Sequence, residues 1–287
     1  MTGSETGLAR GQPVRIALFQ MTSGINPATN AMAIADAASQ AAGEGAAMLF
    51  TPEMSGLLDR DRARARQKIV AEDADPVLHA ARNAAHRFGI WISLGSLAIL
   101  RADGQWANRA LVIAPDGAVM ARYDKIHMFD VDLQNGESWR ESSAYHPGEG
   151  VVTVETPIGR LGLAICYDIR FPALFEELGR MACDALAIPA AFTVPTGRDH
   201  WHVLQRARAI EASAYVIAAA QCGLHEDGRQ TYGHSLVVDP WGQVLLDMGG
   251  KGQGLGFAEI NPARIAEVRG QVPSLANRRT IPKSAGS

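Results

Sequence analysis

The sequence predicts an α/β fold with antiparallel hairpins mixed into the sheet. In the N-terminal part, short apolar runs of strand length alternate with longer Ala-rich or amphipathic runs of helix length. Further along, turn sequences built on Pro, Asp and Gly join pairs of apolar runs, as in hairpins. This pattern suits one sheet, or two stacked sheets, covered by helices, and it does not choose between them.

The N-terminal part is predicted as strand, helix, strand, helix and strand. The apolar run from Val14 to Gln20 is typical of a buried strand, and the Pro-opened run from Pro27 to about Ala42 is typical of a helix. AAMLFTPE is a second short strand. A third strand, Ile90 to Leu100, follows a helix that begins at Asp75-Pro76 and ends near Phe88.

The rest of the chain is predicted to alternate hairpins and helices. The hairpin turns are Pro115-Asp116-Gly117, Pro157-Ile158-Gly159 and Asp239-Pro240-Trp241-Gly242. Helices from Pro172 to Met181 and from Asp199 to Ala212 each lead into a continuous apolar strand, DALAIPA and YVIAAAQC, which we expect to be buried on both faces. A last strand, GLGFAEI, precedes a helix ending near Arg269.

The composition is that of an ordinary globular protein. With 287 residues, 47% of them apolar and 20% charged, we expect a single domain over residues 13–275, a flexible N-terminus at 1–12 and a surface tail at 276–287. A net charge of -3 without a basic run argues against nucleic-acid or membrane partners and favours a small molecule. No signal sequence or membrane span is evident, so we expect a cytoplasmic protein.

Three residues at predicted strand ends are candidates for chemistry. Cys166 ends an apolar strand just before a Pro-opened helix, although a free cysteine is commonly just a small buried hydrophobe. Glu53 ends another strand and Lys125 follows a hairpin strand, although either is as easily a solvated surface charge. Cys183 and Cys222 lie in apolar segments without adjacent charge, and we interpret both as structural.

Together the three segments resemble the nitrilase-like carbon-nitrogen hydrolase family. The family's glutamate after an early strand, lysine in K-x-H-x-F-D and cysteine in C-Y-D-x-R-F-P correspond to Glu53, Lys125 and Cys166, in the same order and spacing. The likeness continues through HWHVLQRARAIEASAYVIAAAQCG and YGHSLVVDPWG. It implies a four-layer αββα sandwich and pairing of subunits into a homodimer or higher homo-oligomer. A further family glutamate beside the lysine corresponds to Glu141, with Glu137 as competitor.

The resemblance also implies a mechanism without metal or organic cofactor. Glu53 takes the proton of Cys166, the thiolate attacks an amide carbonyl, and Lys125 with the Tyr167 backbone N–H stabilises the oxyanion. A thioester forms and is then hydrolysed. The pair His200 and His202 does not predict a metal site, because alternate residues of a helix point apart and no cluster of cysteines or carboxylates completes a ligand set.

The residues after the nucleophile favour amides over nitriles. True nitrilases usually carry Trp-Glu at the positions of Tyr167 and Asp168. The C-terminal segments resemble the family branch that hydrolyses deaminated glutathione to 2-oxoglutarate and cysteinylglycine. An ω-amidase acting on 2-oxoglutaramate is the alternative, and a non-catalytic scaffold is an alternative of another class.

An anionic substrate of this kind calls for a cation in the site. Arg170 is our first choice, with Arg206 and Arg208 as further candidates. Two departures from the branch pattern bear on substrate fit: Ala173 replaces a common glutamate, and Leu133 to Gly136 replace a Pro-Gly loop.

Overall fold

The computed structural model describes residues 12–132, 136 and 138–282. The predicted N-terminal segment up to residue 11, most of the loop from Leu133 to Gly136, Glu137 and the end of the tail from residue 283 lie outside this part. The strands are β1 (Val14–Gln20), β2 (Met48–Phe50), β3 (Trp91–Leu100), β4 (Trp106–Ile113), β5 (Val119–Asp124), β6 (Asp130–Asp132), β7 (Ser138–Arg140), β8 (Thr153–Thr156), β9 (Gly159–Leu163), β10 (Ala185–Ala187), β11 (Tyr215–Ala218), β12 (Cys222–Leu224), β13 (Gln230–Tyr232), β14 (Leu236–Val238), β15 (Val244–Asp247) and β16 (Gly254–Ile260). The helices are α1 (Pro27–Gly43), α2 (Arg62–Arg66), α3 (Pro76–Phe88), α4 (Pro172–Arg180), α5 (Val194–Thr196), α6 (His202–Ala212) and α7 (Pro262–Gln271).

Two six-stranded mixed sheets form the centre of the molecule. The first has the order β16-β1-β2-β3-β4-β5 and the second β15-β14-β11-β10-β9-β8. In each sheet the three central strands run parallel, β1-β2-β3 in the first and β9-β10-β11 in the second, and the outer pairs are antiparallel. The hairpins expected at the three Pro- and Gly-containing turns are present as β4-β5, β8-β9 and β14-β15.

Alternating side chains of β1 show how the layers stack. Ile16 and Leu18 belong to the core that the two sheets share, whereas Ala17 and Phe19 belong to a second core with α1 and α3. On the other side, α4 and α6 pack together and against the second sheet. The order is therefore helices, sheet, sheet and helices, which confirms the αββα sandwich and decides between one sheet and two.

Local sequence explains why the early helices begin where predicted. Asn26 caps α1 by accepting a hydrogen bond from the Ala28 amide, and Asp75 caps α3 by accepting from the amides of Val77 and Leu78. Each cap is followed by proline at the first helical position, where its missing N–H costs nothing. Gly89 ends α3 in the left-handed conformation with φ of 66°.

Several short elements were not expected from the sequence. The strand pairs β6-β7 and β12-β13 form two small ribbons beside the sheets, and α2 and α5 are single short turns. The helix predicted to begin at Asp199 begins as an α-helix at His202, because a π-helical turn, Gly197–Trp201, precedes it. Within the described residues, no helix is long and apolar enough to cross a membrane.

Candidate active site

Glu53 lies in a tight turn just beyond β2. Its backbone carbonyl accepts a hydrogen bond from Gln221 Nε2 at 3.0 Å, and Thr51 Oγ1 accepts one from the Gly95 amide of β3 at 3.0 Å. A Cβ on Gly95 would lie 2.0 Å from the Thr51 carbonyl oxygen, so only glycine allows this close approach. The glutamate side chain is thereby fixed at the end of the first sheet, where it is 5% exposed.

Lys125 follows β5 in the same sheet. Its amide donates to the carbonyl of Asn108 on the neighbouring strand at 2.9 Å, and its own carbonyl accepts from the Gly148 amide at 2.8 Å. Both backbone groups are thus paired, and the side chain is directed into the interior with 2% exposure. A lysine so deeply buried requires anionic partners.

Cys166 follows β9 in the second sheet and occupies a strained turn. Its φ is 46°, in the left-handed region that non-glycine residues seldom adopt, and its amide donates to the Pro189 carbonyl at 2.9 Å. The turn continues as a 3-10 helix, Cys166–Arg170, and then as α4. This geometry presents the thiol at the strand end, and the Tyr167 N–H, at the first turn of a helix, has no intrahelical acceptor.

The four predicted polar residues meet in one cluster. Lys125 Nζ lies 3.0 Å from Glu53 Oε1 and 3.1 and 2.9 Å from the two carboxylate oxygens of Glu141. Glu53 Oε2 accepts from the Ala191 amide at 2.8 Å, and Cys166 lines the same cleft as this carboxylate. Glu141 is also held by the Phe129 amide at 2.7 Å.

Asn108 donates hydrogen bonds to the carboxylates of both Glu53 and Glu141. Its Nδ2 donates to Glu53 Oε1 at 2.9 Å and to Glu141 Oε1 at 3.1 Å. The residue is fully buried in β4, and its Oδ1 has no hydrogen-bond partner within the described residues. One amide group therefore bridges the two carboxylates that bind Lys125.

Burial and the neighbouring charges together determine which groups of the cluster are ionised. Burial alone would raise the pKa of Glu53, but the Lys125 charge and hydrogen bonds from Cys166, Lys125 and Ala191 leave that pKa below its usual value. Burial alone would lower the pKa of Lys125, yet the charges of Glu141 and Glu53 raise it well above its usual value. Burial and then the Glu53 charge raise the pKa of the Cys166 thiol well above 9.0. The unliganded site thus contains a carboxylate, an ammonium and a neutral thiol.

Asp168 ties the turn that carries Cys166 to the segment that carries Lys125. Its Oδ2 accepts from the Tyr123 hydroxyl at 2.7 Å and from the Ile165 amide at 2.9 Å. Its Oδ1 accepts from the His127 amide at 3.0 Å and lies 2.7 Å from His127 Nδ1. The carboxylate is fully buried, so every one of these contacts compensates for lost solvation.

Cys166 opens onto a cleft of about 890 Å³ that Glu53, Lys125, Glu141 and Tyr167 also line. That volume is ordinary for a small-molecule site. The other walls come mainly from β12-β13, from the Phe129 to Tyr145 region and from the turn after Glu53. Four arginines belong to the lining: Arg60, Arg62, Arg140 and Arg229.

The predicted arginines are placed elsewhere. Among the described residues that line the cleft, Arg170 is not included: its Nη1 lies 3.1 Å from His200 Nδ1 and its guanidinium packs on the rings of Tyr167 and Phe192. Arg206 donates to the Gly242 carbonyl at 2.7 Å, and Arg208 donates to the Ile169 carbonyl at 2.8 Å. Arg170 is thus not among the described residues that line the cleft, and its role as the substrate cation stays a prediction.

The remaining cysteines are buried and do not line the cleft. Burial raises the pKa of Cys183 to about 12 and also raises that of Cys222. Both are free thiols, as is Cys166.

Sequence reasoning missed Asn108 and Asp168 as site-forming residues. A signal for Asn108 was present, since it is a polar residue inside the apolar strand WANRALVI. Asp168 belongs to the motif that carries Cys166, but its partners come from residues 123 and 127, which sequence separation conceals.

The chain belongs to the carbon-nitrogen hydrolase family, whose model matches residues 15–270. It is 41% identical over 271 residues to a protein of Synechocystis sp. named deaminated glutathione amidase, covering 93% of this chain and 98% of that protein. A rat protein of the same name is 38% identical over 269 residues, covering 92% of this chain and 82% of the relative.

Solved structures agree with this assignment. The Caenorhabditis elegans NitFhit protein superposes with a TM-score of 0.87 at 36% identity, over 95% of this chain and 66% of that chain. An amidase mutant from Nesterenkonia sp., with the acetamide moiety of fluoroacetamide covalently added at the active site cysteine, superposes with a TM-score of 0.79 at 28% identity, over 96% and 97% of the two chains. The protein is thus a carbon-nitrogen hydrolase that acts on amides.

Proposed function

We propose that the protein hydrolyses a small carboxylate-bearing amide through a thioester on Cys166, and that its substrate is deaminated glutathione. The observation that carries the mechanism is that Glu53 binds Lys125 Nζ at 3.0 Å and lines the same cleft as Cys166. The relatives named deaminated glutathione amidase support the choice of substrate.

Acylation begins from the neutral thiol. Glu53 takes the thiol proton as Sγ attacks the amide carbonyl carbon, and the carbonyl electrons move to oxygen. Proton transfer neutralises Glu53, so the charge of Lys125 is no longer shared with it and acts on the new oxyanion together with the Tyr167 N–H. Glu141, still bound to Lys125, keeps that ammonium in place.

The same carboxyl group completes the cycle. Glu53 returns its proton to the nitrogen as the C–N bond breaks, which releases cysteinylglycine and leaves the acyl group on sulfur. Water then attacks the thioester while giving a proton to Glu53, and collapse breaks the C–S bond, returns the proton to sulfur and releases 2-oxoglutarate. No net proton or electron is gained by the protein.

Among the four arginines in the described lining of the cleft, Arg60 is the one whose side chain has neither an ion pair nor a hydrogen bond. Arg229 is paired with Asp227 at 2.8 Å and Arg140 with Asp132 at 2.7 Å, and Arg62 binds Ser143 and the Arg140 carbonyl. The guanidinium of Arg60 has no ion pair among the described residues. We assign it to a substrate carboxylate, since a guanidinium binds that group with two hydrogen bonds.

The test is hydrolysis of deaminated glutathione and of 2-oxoglutaramate by the purified protein, beside Cys166→Ala. We expect a higher kcat/KM for deaminated glutathione and no turnover by the variant. Preference for 2-oxoglutaramate would move the assignment to an ω-amidase. Inactivity on both substrates would reject both, and Cys166→Ala with wild-type activity would reject the thioester.

A non-catalytic scaffold is distinguishable by thiol labelling. In an active amidase, Cys166 lines the cleft beside a base and should react with iodoacetamide before the buried Cys183 and Cys222. Equal labelling of all three cysteines would favour the scaffold.

A further inference from the structure

Three potential metal ligands meet outside the described lining of the cleft, beside Tyr232 of β13. His202 Nε2 lies 3.0 Å from Asp247 Oδ2, and His234 Nδ1 lies 2.9 and 3.1 Å from the two oxygens of the same carboxylate. The donor atoms of all three side chains lie within 4.8 Å of one another. This cluster is separate from the hydrolytic residues.

Separate parts of the fold bring the three residues together. His202 begins α6, His234 lies between β13 and β14, and Asp247 ends β15. In the sequence only His200 stands beside His202, and the two further ligands, His234 and Asp247, are far away along the chain. His200 is exposed and directed toward Arg170 instead.

Surrounding contacts hold the cluster in place. The backbone of His234 has φ of 56°, its carbonyl accepts from Trp201 Nε1 at 2.8 Å, and its amide donates to the Gly249 carbonyl at 2.8 Å. The Tyr232 ring stacks on the His234 ring at 4.4 Å. Asp247 Oδ1 accepts from the Gly249 amide at 2.9 Å. Such outer contacts orient ligands and strengthen metal binding.

The donor set suits a borderline metal ion. Two imidazole nitrogens and one carboxylate are typical ligands of Zn²⁺ and related ions. In a tetrahedral zinc site neighbouring donor atoms are about 3.3 Å apart, so the observed nitrogen–oxygen distances need open by only a few tenths of an ångström. The side chains are 33%, 24% and 34% exposed, which leaves an entry path and room for water.

We propose that His202, His234 and Asp247 bind one divalent transition-metal ion of the Zn²⁺ type, with water in the remaining coordination position. The ion replaces the protons now shared between the carboxylate and the two rings. It links the start of α6 to β15 and to the connection after β13, a strand whose Gln230 and Thr231 line the cleft. The bound ion is structural and takes no part in the hydrolysis.

Calorimetric titration with Zn²⁺ tests this site. All proteins are full-length, freed of metal by chelator, and carry Cys166→Ala so that the cleft thiol does not bind zinc. We expect one Zn²⁺ per chain, proton release on binding, and a higher Tm with zinc. His202→Ala and Asp247→Asn should weaken binding by at least about 100-fold, since loss of an outer partner alone costs about 10–100-fold.

His200→Ala is the matched control, because it removes a neighbouring histidine and leaves the cluster intact. It should bind zinc as the parent does. Circular dichroism without metal verifies that each variant is folded, and Asp247→Asn preserves side-chain shape. The absence of zinc binding by the parent, or equal affinity in folded His202→Ala, would overturn the proposal and leave an Asp bridging two imidazoles by hydrogen bonds alone.

Discussion

His127 makes two contacts with one oxygen of Asp168, through its backbone amide at 3.0 Å and its ring Nδ1 at 2.7 Å. His127 stands two residues after Lys125, and Asp168 two residues after Cys166. The pair therefore holds the Lys125 segment of the first sheet against the Cys166 turn of the second. Its importance for the reaction is positional, since neither group lines the cleft.

Asp168→Asn should weaken both stability and catalysis. An amide accepts fewer hydrogen bonds and directs an NH2 group at existing donors, so the free energy of unfolding should fall by about 3 kcal/mol. We expect kcat to fall more than KM rises, because Cys166 and Lys125 lose alignment. Tyr123→Phe, which removes a single hydrogen bond to Asp168, should cost about 1 kcal/mol in urea unfolding. Wild-type kcat in folded Asp168→Asn would contradict the positioning role.

Replacing Asn108 should expose the repulsion between Glu53 and Glu141. Asn108→Ala removes the shared donor and should reduce kcat/KM by about 10–100-fold, in line with about 1–3 kcal/mol for an unmade buried hydrogen bond. Asn108→Asp adds a third carboxylate and should be worse than Asn108→Ala. Steady-state kinetics of the two variants provide the comparison, and the reverse order would show that side-chain volume, not charge, decides the effect.

Gly95→Ala should displace the turn that carries Glu53. The added methyl group would meet the Thr51 carbonyl oxygen at 2.0 Å, so the backbone must move, and we expect a loss of at least about 2 kcal/mol of stability together with most activity. Gly43→Ala at the end of α1 meets nothing within 4 Å and should be neutral or stabilising by up to about 1 kcal/mol. Thermal unfolding and turnover would be measured for both, and similar behaviour of the two variants would refute the close-approach argument.

Alkaline pH should destabilise the protein partly through Cys166. The folded protein keeps this thiol protonated to a higher pH than the unfolded chain, in which the pKa is near 9.0. The stabilisation is therefore complete below that value and is lost as pH rises through the folded pKa, at up to about 1.4 kcal/mol per pH unit. Cys166→Ser should lose less stability between pH 8 and 10 in urea unfolding, whereas Cys183 and Cys222 contribute equally to both proteins. Parallel pH profiles would contradict the raised pKa.

Arg60→Ala should raise KM for an anionic amide. Loss of a charge-assisted hydrogen bond costs about 1.5–3 kcal/mol, or about 10–100-fold in kcat/KM. An uncharged amide should be affected little, and Arg180→Ala, on the exposed side of α4, should have no effect on either substrate. An equal loss with charged and uncharged amides would show that Arg60 supports the cleft rather than binding a carboxylate.

The sequence predicts the main strands and helices because their signals are local. Apolar runs such as YVIAAAQC mark buried parallel strands, and Asp75 followed by proline marks a helix start. The two-stranded ribbons beside the cleft have no comparable local sequence pattern. The strands β6 and β7, for example, are only three residues long and mostly exposed. Their pairing depends on neighbouring segments, which no local pattern records.

The sequence predicted those residues of the site that belong to the matched family motifs. Glu53, Lys125, Cys166 and Glu141 line one cleft, whereas Arg170, chosen for its closeness in sequence to the matched motifs, is not in the described lining. Cys166–Arg170 is a 3-10 helix with three residues per turn, so Arg170, four positions after Cys166, lies about 120° around the helix from it. Arg60 lies near Glu53 in sequence but far from the other motifs.

Glu53 and Cys166 come from opposite sheets of the sandwich. In the mechanism proposed above, a proton crosses from one half of the molecule to the other and back during each turnover. The distance between the two residues depends on the apolar side chains packed between the sheets, such as Leu18 and Leu163, which are far from the substrate in the chain's interior. We therefore expect that a methylene added between the layers lengthens the distance over which the proton moves and slows turnover, even in a protein that still folds.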